Sequence, residues 1–231
     1  MRLCIDAGNT SISFGFFEGH KLLNKFSLPS TEYRKFRLEK KIEQVVYASV
    51  VPRLDTYFAR YFNKTNFRQI DYRQLRNITI GLKKKSEIGI DRLVNADGAV
   101  EFYGAPLILI DLGTATTFCV LDKNNAYRGG LICPGINLTR IVLHEKTAKL
   151  PLLEFKTKPA KLIGQSTQEA MQSGLYYGYA ALINGVIDRL KKEVPGAQVV
   201  ATGGYSSLLA QDIQADIVDL DLTLKSLALY S

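Results

Sequence analysis

The stretch Leu107-Ile108-Leu109-Ile110-Asp111-Leu112-Gly113-Thr114-Ala115-Thr116-Thr117-Phe118-Cys119-Val120-Leu121-Asp122 decides the fold, because it has a twin at the amino terminus. An apolar run ends in an aspartate, a glycine follows two places on, a small hydroxylated segment comes next, and apolar residues resume. Leu3-Cys4-Ile5-Asp6-Ala7-Gly8-Asn9-Thr10-Ser11-Ile12-Ser13-Phe14-Gly15-Phe16-Phe17 repeats that order. Both read as strand, tight turn, strand, with Gly8 and Gly113 supplying turn backbone that a Cβ would obstruct. Such a turn offers N–H groups and hydroxyls to phosphate oxygens, and its carboxylate suits a cation or a metal-bound water. Either copy alone is ordinary β-turn chemistry. Their recurrence, with matched hydroxyls, points to a phosphate-binding cleft between two related lobes.

The 231 residues are enough for one large core or two modest lobes, and the duplication favours two, residues 1–104 and 105–231. Net charge is +8, yet the bases are dispersed, the densest runs being Lys83-Lys84-Lys85 and the mixed segment Arg34 to Lys41. With no Trp and no interleaving of aromatic and basic residues, a nucleic-acid partner is not expected; most of the lysines and arginines read as solvated faces, and a minority could serve anionic small molecules. Cys4, Cys119 and Cys133 are odd in number, sit in apolar runs and lack metal-ligand spacing, so they read as core residues in a reducing compartment. Without a membrane-length apolar run or a cleavable signal, the expected location is the cytoplasm, away from membranes.

Between the hairpins, Lys21 to Ser27 predicts a third strand, Tyr33 to Lys41 a short charged helix, and Val45 to Val51 a buried parallel strand ended by Pro52. Leu54 to Phe62 has helical spacing, and short strands are expected near Phe67 to Ile70 and Ile78 to Leu82. Alternation of this kind argues for α/β layering. Ser86 to Val100 opens a helix with Asp91 in its first turn, where the helix dipole should keep the carboxylate ionised. A carboxylate there is a favourable helix start or a poised acceptor for a substrate proton.

After the second hairpin, Gly129-Gly130 and Pro134-Gly135 flank a short strand, and Ile136 to Lys149 reads as a helix starting at that turn. His20 and His144 read as surface or packing residues. Thr167 to Val194 is the longest helical pattern, with Met171, Leu175, Tyr179, Leu182, Val186 and Leu190 on one stripe. Gly174 and Gly178 would weaken an isolated helix and read as sites of close packing, within the chain or against a second protomer. Gln198 to Ala201 predicts a strand running into Thr202-Gly203-Gly204, where backbone could lie against a flat ligand such as adenine. Ala215 to Leu220 and Leu222 to Tyr230 read as a closing strand and helix.

In this order the motifs Asp6-x-Gly8-Asn9-Thr10, Gly89-x-Asp91-Arg92, Asp111-x-Gly113-Thr114-Ala115-Thr116-Thr117, Gly129-Gly130-x-Ile132-x-Pro134-Gly135 and Thr202-Gly203-Gly204 resemble those of bacterial type III pantothenate kinases. The chain is also similar to that family at Ala48-Ser49-Val50-Val51-Pro52, Thr147-Ala148-Lys149-Leu150-Pro151 and Glu169-Ala170-Met171-Gln172-Ser173-Gly174, so the match covers almost the whole length. The resemblance implies an α/β fold of two duplicated ribonuclease H-like, actin-like ATPase lobes, each a mixed sheet with flanking helices and ATP in the cleft between them. It also implies ATP-dependent phosphorylation of pantothenate to 4′-phosphopantothenate, the first step of coenzyme A synthesis.

Carried over position by position, the resemblance makes Asp6, Ala7, Gly8, Asn9, Thr10, Ser11, Ile12 and Ser13 the first phosphate-binding hairpin, with Asp6 holding Mg²⁺ through water. Asp111 matches the residue that binds a monovalent cation, K⁺ or NH₄⁺, and Thr114 an ATP contact. Gly89, Ile90, Asp91 and Arg92 match the pantothenate-binding segment, with Asp91 as proton acceptor, and Thr167 matches a residue that reaches pantothenate from the neighbouring protomer of a homodimer. One departure stands out: Leu82 occupies the place of a common family tyrosine that contacts pantothenate, followed by Lys83-Lys84-Lys85. Two alternatives remain open: an inactive regulatory or accessory protein on the same scaffold, and a nucleotide-gated ATPase module.

Overall fold

The computed structural model describes residues 1–38 and 41–230, and both hairpins form in it. Strands β1 (Arg2–Ala7) and β2 (Ser11–Glu18) pair antiparallel, and β3 (Lys21–Pro29) extends β2 at the sheet edge. The chain returns as β4 (Gln44–Ser49), parallel to β1, runs through helix α1 (Pro52–Tyr61), and adds β5 (Asn66–Gln69) parallel to β4. The order is β3-β2-β1-β4-β5. A two-residue strand, β6 (Thr79–Ile80), and helix α2 (Ile90–Tyr103) follow.

The second hairpin is β7 (Leu107–Leu112) with β8 (Ala115–Leu121), continued by β9 (Ala126–Pro134). Helices α3 (Ile136–Glu145) and α4 (Thr167–Glu193) precede β10 (Gln198–Thr202), which lies parallel to β7. After the short α5 (Ser206–Leu209) comes β11 (Ile217–Val218), parallel to β10, and α6 (Leu222–Ala228) closes the chain. The order β11-β10-β7-β8-β9 places hairpin, third strand, parallel strand and edge strand as in the first sheet. The duplication read from two turns therefore extends to whole sheets.

The chain divides into two compact units, Met1–Gly104 with Asn125–Tyr127 and Asp221–Ser231, and Ala105–Asn124 with Arg128–Leu220. The last helix thus belongs to the first unit, where Ala126 and Tyr127 also pair with Thr79 and Ile80.

Side-chain alternation divides the work of the two faces of each sheet. In the first unit Leu3, Ile5, Ala7, Val45 and Tyr47 pack with Leu54, Phe58 and Phe62 along α1. Cys4, Val46 and Ala48 pack on the other face with Val94 of α2 and Leu224 and Leu227 of α6. Burying each large side chain contributes roughly 1.5–3 kcal/mol. In the second unit Ile108, Ile110 and Leu112 meet Leu175, Tyr176, Tyr179, Ile183 and Ile187 of α4.

Helices α2 and α6 approach closely. A Cβ at Gly98 would sit 1.9 Å from Ser226 Oγ and 2.9 Å from its Cα, so only hydrogen fits there. Beside this contact the buried Asp97 carboxylate accepts the backbone N–H groups of Arg76, Asn77 and Ile78 and the Tyr230 hydroxyl at 2.5 Å. Arg2, Arg68 and Arg76 donate to the carbonyls of Ala228, Tyr230 and Leu229, holding the chain's last turn against the first unit.

Several expectations are corrected. Instead of a helix over Tyr33 to Lys41, a 3₁₀ turn spans Ser30–Lys35 and Phe36 to Leu38 leave it; Glu39 and Lys40 lie outside the described residues. The charged pattern lacks the apolar period that would hold an α-helix on a core: Phe36 is buried, with Tyr33 and Leu38 only partly buried against the same cluster. Pro52 opens α1 rather than merely ending a strand, the first helical position being one where its missing N–H is harmless. Helix α3 ends at Glu145, short of Lys149.

On α4 the buried stripe runs Met171, Leu175, Tyr179, Ile183, Ile187 in place of Leu182, Val186 and Leu190. The expected stripe stepped from Tyr179 to Leu182, three residues where the buried face advances by four, so Leu182 is exposed while Val186 and Leu190 lie half-buried at the margin of the core. Gly174 and Gly178 face open space, so the close packing assigned to them is not within the described chain.

Gly98→Ala should lower unfolding stability by ~1–3 kcal/mol through overpacking of α2 on α6, measured by urea denaturation; an unchanged midpoint would mean the two helices do not meet at Gly98.

Candidate active site

In each hairpin the aspartate occupies the rung before the last pair of the ladder: Asp6 opposite Ser13 and Asp111 opposite Thr117. In each, the residues one and three places before it and one after it point to the helix-covered core, Leu3, Ile5 and Ala7 in one case and Ile108, Ile110 and Leu112 in the other. By alternation both aspartates take the opposite face. The turns differ by one residue, since the closing pairs are Ala7 with Ile12 and Leu112 with Thr116.

The first turn is braced by a residue the sequence reading missed. Ser30 is buried; its Oγ donates to the Gly8 carbonyl at 2.6 Å and its N–H to the Thr10 carbonyl at 2.9 Å. A trans peptide is planar, with N–H opposed to C=O, so fixing those carbonyls toward Ser30 aims the N–H groups of Asn9 and Ser11 the other way. Asn9, Thr10 and Ser11 are exposed, whereas Ala7 and Ile12 bury their side chains and present only backbone. Gly8 is tighter than usual rather than blocked, an added Cβ lying 3.2 Å from the Ser11 carbonyl. Nothing local marks Ser30 in the sequence, because its role exists only once β3 has returned along β2.

Asp91 belongs to the same end of this sheet. The Val50 N–H donates to the Ala7 carbonyl at 3.2 Å, extending the β1–β4 ladder past Ala7 and Ser49. A Cβ on Gly89 would lie 3.6 Å from Val50 Cγ1 and 2.5 Å from Asp91 Oδ1. Residues 89–92 therefore start α2 against the carboxyl ends of β1 and β4, on the face that Asp6 shares with Cys4. Gly89 leaves room for the Asp91 carboxylate, which folds back over it to accept the Arg92 N–H at 2.8 Å.

Burial pushes the Asp91 carboxyl above the ordinary carboxylate range; the Arg92 N–H and guanidinium oppose that shift without cancelling it. Desolvation therefore adds to the helix start as an influence on this carboxyl, and it is the larger of the causes that act on it. Ile90 and Arg92 are half-buried beside it.

In the second unit Asp111, Gly113, Thr114, Gly135 and Gly203 come together. Gly203 has φ +90°, and a Cβ there would fall 2.4 Å from Asp111 Oδ1 and 2.6 Å from the Leu112 nitrogen. At Gly135 it would fall 2.4 Å from the Gly113 carbonyl and 2.2 Å from that of Thr114, whose oxygen accepts the Gly135 N–H at 3.1 Å. The stronger constraints thus sit on Gly135 and Gly203 rather than on Gly113, where the nearest atom would be Asp111 Oδ1 at 3.3 Å. The Asp111 carboxylate thus lies against Gly203, and the Gly113 and Thr114 carbonyls against Gly135; carboxylate and carbonyl oxygens are the donors that a hard cation takes. Thr114 is exposed.

Thr167 is the first residue of α4, after Ser166, whose side chain accepts the Glu169 N–H at 3.2 Å. Among the described residues no three His, Cys, Asp or Glu side chains form a metal cluster. Mg²⁺ held by phosphate oxygens and one carboxylate needs no such cluster.

Comparison with known proteins follows the same lines. The model of the type III pantothenate kinase family matches residues 2–189. A type III pantothenate kinase from an Exiguobacterium species is 38% identical over 250 residues, covering 99% of this chain and 97% of its own. Among solved structures, a putative Baf family transcriptional activator from Campylobacter jejuni is similar with a TM-score of 0.68 at 21% identity, over 99% of this chain and 96% of that one. A ROK family glucokinase from Streptomyces griseus, solved with glucose and AMPPNP, is similar with a TM-score of 0.57 at 12% identity, over 98% and 97%. At those identities the structures bear on fold alone, and they bear out the duplicated ribonuclease H-like, actin-like architecture.

Burial makes Asp91 a weaker acid in the folded state, and that carries a sign. The folded state holds the proton more tightly than the unfolded chain, so the residue's burial costs stability as pH rises from about 4. Asp91→Asn should raise Tm at pH 7, with the gain vanishing below about pH 4, by calorimetry across pH; a lowered Tm at neutral pH would mean the carboxylate is not desolvated.

Proposed function

This chain belongs to the type III pantothenate kinase family, and we propose that it transfers the terminal phosphoryl group of ATP to the primary hydroxyl of pantothenate, giving 4′-phosphopantothenate. The observation that carries the mechanism is Asp91, a desolvated carboxylate at a helix start beside the Asp6 hairpin. Phosphoryl transfer needs alignment and charge neutralisation more than covalent help. Asp91 receives the hydroxyl proton as the new P–O bond forms and aligns that oxygen beforehand. Its burial makes it a stronger base than an exposed aspartate, at the acid end of what such catalysis uses.

The N–H groups of the first turn, with Asn9 and Thr10, hold phosphate oxygens, as the Ser30 brace supports. Asp6 would hold Mg²⁺ through water, and Thr114 contacts ATP. The Asp111 carboxylate and the neighbouring carbonyls would hold K⁺ or NH₄⁺; the oxygen-only donor set supports that assignment. Bound there, such ions spread the charge that develops on the phosphates. Arg92 grips the pantothenate carboxylate, for which a guanidinium supplies two parallel donors. The exposed lysines at 83–85 add attraction for an acidic substrate where Leu82 replaces a polar contact, although Lys84 is already paired with Glu87 at 2.8 Å.

The enzyme acts as a homodimer in which Thr167 reaches the partner's pantothenate. The reading is supported by the outward face of α4, where Ala170, Gly174, Gly178 and Leu182 are exposed. No helix among the described residues is long and apolar enough to cross a membrane, and a cytoplasmic location agrees with three cysteines that form no disulfide.

ADP release should depend on added pantothenate, and Asp91→Asn should reduce turnover by ~10²–10⁴-fold while ATP binding persists; pantothenate-independent release, or turnover within tenfold of wild type, would reject the assignment. Asp111→Ala should flatten the rate response when K⁺ replaces Na⁺, and an unaltered K⁺ titration would move the cation elsewhere.

A further inference from the structure

Away from the residues assigned above, the first unit carries a groove of about 490 Å³ lined by Arg34, Arg53 and Arg60 and by Tyr33, Tyr57 and Tyr61. Arg53, Tyr57, Arg60 and Tyr61 share the outer side of α1, opposite Leu54 and Phe58, and the 3₁₀ turn at Ser30–Lys35 supplies the other wall. The outward face of a surface helix is ordinarily polar and unshaped. Here the rings form a wall: Tyr33 meets Tyr57 edge to face at 4.7 Å, and Tyr57 lies 6.0 Å from Tyr61. The wall is held in place. Arg34 donates to the Tyr33 hydroxyl with its guanidinium 5.6 Å from that ring, and the Tyr61 hydroxyl accepts the Leu38 N–H.

Among the described residues none of the three arginines is in an ion pair with a carboxylate. The nearest acids along the sequence are engaged elsewhere, Glu32 with Lys35 and Asp55 with the buried Tyr47 hydroxyl. Three uncompensated guanidiniums in a concave site select a multiply charged anion, and guanidinium geometry matches phosphate. Tyrosine faces at the same site select a planar ring. The volume falls in the range of small-molecule pockets.

We propose that this groove is a second nucleotide site, taking a nucleoside diphosphate or triphosphate with its phosphates on the arginines and its base on the tyrosine wall.

The test counts nucleotides by equilibrium dialysis of labelled ADP with Mg²⁺ against the full chain. Wild type should bind two per chain. Arg53→Gln with Arg60→Gln, both on the exposed side of α1, should leave one, the groove affinity falling by ~10²-fold for two lost charge-assisted contacts. Inorganic tripolyphosphate should compete at the groove and adenosine alone should not. An unchanged melting temperature in the double variant separates lost binding from lost folding, and Arg34→Gln with Arg60→Gln repeats the measurement if it falls. One nucleotide per chain in wild type, or a count that the substitutions leave at two or take to zero, overturns the proposal. So does a single-stranded RNA oligomer that binds more tightly than ADP and is lost in the same variant. Pantothenate-dependent ADP formation, assayed on the same samples, should stay within twofold of wild type, so failure of the second site and failure of the kinase assignment are read separately.

Discussion

Each hairpin in this protein is held by a parallel strand laid along its first strand: β4 beside β1 and β10 beside β7. A hairpin alone would be marginal in water. The parallel neighbour covers its open side and brings a second strand terminus level with the aspartate: Ala48 lies opposite Asp6 and Thr202 opposite Asp111, so Ser49 and Val50 in one unit and Gly203 and Gly204 in the other follow the same rung. Ligand sites in open α/β sheets gather at carboxyl ends of strands for this reason. Had either parallel strand slipped by one residue, every inward side chain would face outward and the core under α1 or α4 would be lost.

The two units use that shared frame differently. In the first, the parallel strand's end abuts the start of α2, so a carboxylate with a helix amide beside it stands next to the turn. In the second, the chain leaves the parallel strand through Gly203 with positive φ, and its backbone lies directly on the Asp111 carboxylate. One unit therefore offers a group able to exchange a proton and the other an oxygen-rich surface. A duplicated scaffold has kept its pairing rules and diverged at the residues that follow the last rung.

Much of this was legible in the sequence because it rests on short-range rules. The aspartate, the glycine two places on and the apolar runs located both hairpins, and the Asp91 helix start followed from one segment. Ser30 was not legible, since it acts on a turn twenty residues earlier through a strand that must first return. Nor was the second half of α4's buried face, where neighbouring apolar positions let pattern alone choose Leu182, Val186 and Leu190 over the fully buried Ile183 and Ile187. The acidity of Asp91 also escaped, because burial depends on what packs over a residue, which no local pattern encodes.

Asp97 shows how one side chain substitutes for secondary structure. Arg76, Asn77 and Ile78 lie in an irregular connection with no strand or helix to receive their N–H groups, yet all three converge on one carboxylate oxygen buried under Tyr230. In hydrogen exchange that connection would behave as a continuation of the core, its amides protected as strand interiors are and released only when the last helix lifts away.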